Sequence, residues 1–192
     1  MLWGGAAQGG TLELRREENG GVRLSGRFPY ATETTLAEGR AERIASRAFA
    51  ARIDAGEDIH FLSGHDYEKP LASRSAGTLK LRETDQALEI DATITPDMAQ
   101  ATWARDFLSA HGAGLIRGLS PGFRVAAGGE RIERRGNGLL RTVVAADLFE
   151  LSAVTVPAYG QAQIEARNWI ADQAANLPLD DGLHRTLARW RA

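Results

Sequence analysis

The sequence predicts an α+β domain with a mainly antiparallel sheet or barrel. Three observations carry that expectation. About six to eight segments alternate apolar and polar residues between turns rich in Gly and Asn. One helix with clear boundary signals interrupts them, without the strand–helix–strand rhythm of a parallel fold. The 192 residues are 43% hydrophobic, enough for one sizeable core.

The elements follow in order. Residues 1–10, MLWGGAAQGG, read as a flexible N-terminal tail and lack the basic start and apolar stretch of a secretory signal. In TLELRREENGGVRLSGRFPY, Leu12 and Leu14 alternate with Glu13 and Arg15. Asn19-Gly20-Gly21 turns the chain, and Val22 and Leu24 resume the alternation. ATETTLAEGRAE is polar and reads as a loop. RIASRAFAARIDAG begins extended and turns into a short helix that Ser46 can cap and that ends before Gly56. Ile59 to Leu62 is a short strand, and Gly64, Asp66 and Pro70 mark Ser63 to Ser73 as an irregular loop.

GTLKLRETDQALEIDATIT is a second hairpin, with ETDQ as its turn. Thr95 or Pro96 opens the central helix, Gly112 closes it, and Met98, Thr102, Phe107 and Leu108 approximate its apolar face. LIRGLSPGFRV, ERIERRG and the run from Leu139 to Pro157 are strand-like, separated by Gly128-Gly129 and Gly136-Asn137-Gly138. After Pro157 the pattern becomes helical through residues 160–192, so a boundary falls near Tyr159.

Composition excludes several classes. There are 23 basic and 25 acidic residues, a net charge of −2. That balance gives no electrostatic case for nucleic acid or an anionic membrane. No apolar run is long enough to span a bilayer. With no cysteine, disulfides, thiolate metal sites and a cysteine nucleophile are excluded. The histidines, His60, His65, His111 and His184, show no helical metal-site spacing, and neither a metal nor a cofactor is expected.

Three residues could carry chemistry. Ser120 lies inside the strand-like GLSPG, where a run of Val and Ile would pack better. It is either part of a bulge or a reactive hydroxyl. The string matches G-x-S-x-G, but FRVAAGG after it is strand-like, so the strand-to-helix elbow of an α/β-hydrolase is rejected. Pro121 behind the serine removes one backbone N–H from that position.

His65 sits in a turn-rich segment, as a surface histidine or a base; His60, on the preceding strand, is its rival. In strand geometry Leu148, Glu150, Ser152 and Val154 share one face. Both faces of that run are largely apolar, so the strand is central and Glu150 must be paired. Its partner is either an arginine, in a structural ion pair, or a histidine that it orients.

Several segments, in this order, resemble the prohead serine proteases of tailed bacteriophages, the HK97-type capsid-maturation family related to the herpesvirus assemblins. They are LSGRFPY…IASRAFAARI, the His-Asp segment FLSGHDYEKPLAS, the Ser-x-Gly-Phe strand IRGLSPGFRV, and LFELSAVTVPAYGQAQI. The resemblance spans about Leu24 to Arg167. It implies an antiparallel β-barrel surrounded by helices, with residues 11–159 as the protease domain and 160–192 as a C-terminal helical segment. It implies Ser120 as nucleophile and His65 as base. Glu150 is the best-placed third member, with His60 as fallback. Backbone N–H groups near Ser120, or Arg124, Arg134 and Arg135, would stabilise the oxyanion.

The implied substrates are the scaffolding segment of a major capsid protein and the protease itself, inside the assembling prohead of a phage or phage-like particle in the host cytoplasm. A homodimer is implied by analogy with the assemblins. A catalytically inactive member, kept as a structural protein of the assembling shell, is the alternative that Pro121 favours. A small-ligand binder with a concave apolar pocket is a third reading, and it gives no reason for the three side chains to converge.

Overall fold

The computed structural model describes residues 2–3, 11–116 and 118–155. In chain order its elements are β1 (Leu2–Trp3), β2 (Thr11–Arg16), β3 (Val22–Pro29), β4 (Thr34–Ala37), β5 (Arg40–Ile44), α1 (Ala50–Asp54), β6 (His60–Ser63) and β7 (Asp66–Ser73). They continue with β8 (Leu79–Glu83), β9 (Ala87–Ile94), a single 3-10 turn at Met98–Gln100, α2 (Thr102–Gly112), β10 (Gly118–Val125), β11 (Glu130–Arg135), β12 (Gly138–Val143) and β13 (Ala146–Val154). The expected helical segment at 160–192 lies outside the described residues.

The strands form three sheets, ordered β1-β10-β13-β6-β7, β11-β12-β5-β4 and β2-β3-β9-β8. Ladders are mostly antiparallel, as the sequence implies, and β13–β6 and β12–β5 are parallel. The expected closed barrel is not formed. Closure requires every strand to have a ladder on both sides, and among the described residues each sheet ends in strands with one neighbour only.

The hairpins β2–β3 and β8–β9 stand where the alternation places them. Gly20 adopts φ 87°, and Asn19 Oδ1 accepts from Gly21 N–H at 2.8 Å. Two expected loops are strands instead. Residues 34–44 form the hairpin β4–β5, which buries Thr34 and Glu42, so polar side chains inside the sheet hide its period. Within Ser63 to Ser73, β7 is a largely exposed edge strand. Its alternation is weak for that reason, and Pro70 is tolerated there.

The central helix is broken at Ala101, whose ψ of 142° separates the 3-10 turn from α2. Ala104, Phe107 and Leu108 carry the buried face of α2, and Thr102 is exposed.

Ser46 does not cap α1. The residue preceding that helix is Phe49, and its N–H donates to Glu83 Oε1 at 3.1 Å. Tyr30 Oη donates to the same oxygen at 2.5 Å. Burial drives both groups upward: the Glu83 carboxyl lies above the usual carboxylate range and the Tyr30 phenol above the usual phenol range. Folded Glu83 therefore holds its proton more tightly than the unfolded chain does. Its contribution favours folding at low pH and is lost as pH rises through the raised value. Glu83→Gln keeps an oxygen for both donors and is expected to flatten the fall of stability above about pH 4. Urea unfolding across pH 4 to 7 checks this; a slope equal to wild type would refute it.

An aromatic chain runs from Phe28 to Tyr30, Phe49 and Phe123, with centroid separations of 6.4, 6.2 and 5.5 Å. It ends on β10 next to Gly122, because Phe123 follows that residue and is fully buried. Such pairs add about 0.5–1.5 kcal/mol each beyond area burial. Together they fix β10 against the core.

Candidate active site

The site is assembled on the five-stranded sheet, in which β13 is the central strand. Its register with β10 places Ser120 opposite Ser152 and Gly122 opposite Glu150. Paired residues share a face, and so do residues two apart. Ser120, Gly122, Glu150 and Ser152 therefore project to one side. A β-bulge lies between Gly122 and Phe123. Gly122 faces Glu150 and Phe123 faces Leu148, so Phe149 is the extra residue.

His65 reaches this face from β6 by a tight turn. Ser63 pairs with Asp66, and the two residues between them, Gly64 and His65, have φ of 68° and 62°. Two positive φ angles in a two-residue hairpin make a type I′ turn. Glycine enters that region freely; histidine enters it at a cost of about 1 kcal/mol. Two contacts hold the turn: Gly64 N–H donates to Ala153 O at 3.1 Å, and His65 N–H to Ser152 Oγ at 2.9 Å.

The ring of His65 then meets the carboxylate. Its Nδ1 lies 2.8 Å from Glu150 Oε1. The other oxygen, Oε2, accepts from Ser152 Oγ at 2.5 Å. The Glu150 side chain is wholly buried and that of His65 is 10% exposed. The sequence left open whether Glu150 pairs with an arginine or a histidine, and the partner is the histidine. The buried carboxylate with an arginine is Glu42, 3.0 Å from Arg141. Ser120 is wholly buried, one strand from this cluster and on its side of the sheet. Among the described residues, no group of three or more His, Asp or Glu side chains could hold a metal ion.

A hydroxyl, an imidazole and a carboxylate thus share one face of one sheet, joined by residues far apart in the chain. The family described as caudovirus prohead serine protease matches residues 10–176. The chain belongs to that family. No curated protein and no solved structure matches it.

For a prohead serine protease, the surroundings of Ser120 have a specific geometry. Gly64 N–H reaches Ala153 O, so the Ala153 backbone faces β6. Alternation along β13 turns the backbone of Ser152 toward β10, and that of Ser120 back toward β13. Leu119 and Pro121 then direct their backbone groups to the outer edge. There β1 pairs only with Gly122 and Phe123 among the described residues. The missing N–H of Pro121 therefore costs nothing in the β10–β13 ladder, which explains a proline in a strand that is otherwise interior.

The other sequence candidates are placed elsewhere. His60 is the ladder partner of Glu150, yet its Nδ1 is 3.8 Å from Asp58 and its ring packs edge-on against Tyr67. With Tyr67 it rims a cleft of about 420 Å³ that runs to Met98. Tyr67 feels the site as well: burial raises its phenol, and the charge of Glu150 adds to the effect. Arg124 pairs with Asp147 at 3.4 Å and lies over the Phe149 ring. Arg134 and Arg135 are on β11 in a different sheet, where Arg135 holds Glu33 at 2.8 Å. Ser152 was seen in sequence only as a face-mate of Glu150; its spacing of two in a buried strand was the signal for a contact.

Gly122 leaves no room for a side chain. A Cβ there would lie 2.0 Å from Glu150 Oε1 and 2.8 Å from its carboxyl carbon. Gly122→Ala is expected to push Glu150 off His65 and to destabilise the fold by about 1–3 kcal/mol. Thermal unfolding together with a peptidase assay checks it. An unchanged melting temperature with full activity would show that the carboxylate can move aside.

Proposed function

We propose that the chain is a serine endopeptidase of capsid maturation, with Ser120 as nucleophile, His65 as general base and Glu150 as the residue that orients the base. The observation that carries this reading is the 2.8 Å contact between His65 Nδ1 and the buried Glu150 carboxylate, on the face of the sheet that also bears Ser120. A proton on Nδ1 donates to Glu150 and leaves the lone pair on Nε2. That is the tautomer a base needs. Nε2 takes the Ser120 proton as Oγ attacks a peptide carbonyl. The C–N bond then breaks, the departing amine takes that proton, and water releases the acyl group by the reverse use of the same ring.

The substrate would be the scaffolding segment of the major capsid protein, together with the protease's own chain, inside the assembling prohead. Glu150 is preferred to the fallback His60 as the third member because its carboxylate meets the His65 ring, whereas His60 turns to Asp58 and Tyr67. Incubation with the cognate capsid protein tests the reading, with terminal sequencing of the products and a fluorophosphonate probe mapped by mass spectrometry. Discrete cleavage and a label on Ser120 are expected. Intact capsid protein and no label would overturn it.

A second reading, an inactive member kept as a structural protein of the shell, rests on two observations. Ser120 is wholly buried, so catalysis requires peptide binding to uncover it. The stretch Ser120–Gly122 also presents no outward N–H, since Pro121 has none and its neighbours face β13. An oxyanion would then need amides from elsewhere. The same labelling experiment separates the two readings.

A further inference from the structure

We infer that Ser152 is a positioning residue of this site, holding both the base and its orienting carboxylate through one hydroxyl. The inference deepens the proteolytic reading and rests on it. Ser152 Oγ has a single proton, and a carboxylate oxygen can only accept it. At 2.5 Å from Glu150 Oε2, the hydroxyl therefore donates to Glu150. Its lone pair is then directed to the backbone N–H of His65, 2.9 Å away. The result is a closed ring of contacts: His65 backbone to Ser152, Ser152 to Glu150, and Glu150 back to the His65 imidazole.

Each bond answers a separate need. Glu150 Oε2 lies on a side chain with no exposed surface and must be hydrogen-bonded there. His65 sits in a left-handed turn conformation that histidine does not prefer, and a bond to its N–H holds it. The two needs meet in one atom because β13 places Ser152 two residues after Glu150, on the same face. Ser152 is itself fully buried and faces Ser120 across the ladder. With its proton on Glu150 and its lone pair toward His65, this hydroxyl is committed to holding rather than to attack.

The test compares Ser152→Ala and Ser152→Thr with wild type in the full chain. Ser152→Ala is expected to lower kcat by about 10- to 100-fold with KM unchanged. It should speed hydrogen exchange at the His65 amide and shift the His65 Nδ1–H proton resonance, while the fluorophosphonate label stays on Ser120. Ser152→Thr keeps the hydroxyl and should restore the resonance and the protection. Should the threonine methyl prevent folding, Ser152→Cys keeps the volume without a strong donor and should behave like alanine. Wild-type exchange and resonance in Ser152→Ala would overturn the inference, and so would a label on Ser152. If wild type itself cleaves nothing, the proteolytic reading fails, and the exchange and resonance data still decide the role of Ser152.

Discussion

Ser120→Ala is expected to abolish fluorophosphonate labelling and to lower peptidase kcat by at least about 10⁴-fold, with the fold intact. The substitution removes one oxygen from a wholly buried position and leaves the backbone of β10 in its ladder with Ser152. Among the described residues of that face the neighbouring hydroxyl, Ser152, is engaged with Glu150 and His65 and is not expected to take over. The measurement is kcat on the cognate capsid protein beside the melting temperature of the variant. Retention of more than a few per cent of activity would remove Ser120 from the mechanism.

Glu150→Gln should come next in size, with kcat falling by about 10³- to 10⁴-fold. Both neighbours of this carboxylate donate to it in the working arrangement: His65 Nδ1–H to Oε1 and Ser152 Oγ–H to Oε2. Glutamine offers one oxygen and one amide nitrogen, so one donor must face another donor, or the ring must take the other tautomer. The shape is kept, so packing is not the cause. Leaving one buried polar group unmatched should also cost about 1–3 kcal/mol of stability. Activity within tenfold of wild type would show that the tautomer of His65 is set by something other than Glu150.

Much of the site was legible because its demands are local. A carboxylate in the apolar run DLFELSAV has to be partnered, and the serine in GLSPG stands where Val or Ile would pack better. What the sequence could not choose was the partner. Glu42 and Glu150 are both buried acids on strands, and only the sheet order gives the first to Arg141 and the second to His65. Strand β7, which follows the His65 turn, was hidden for another reason. It is an edge strand with a run of four exposed side chains, so it shows little alternation, and the segment read as a loop. The hairpin β4–β5 was missed because it buries Thr34 and Glu42, which reverses the pattern by which strands are recognised. The antiparallel character came from alternation within each strand. The division into three sheets depends on long-range ladders that no local pattern encodes.

Pro121 also bears on the sheet itself. A strand takes on a further neighbour through its unpaired N–H and C=O groups. On the side of β10 away from β13 the proline offers no N–H, so any strand laid along that side must skip a rung at Pro121.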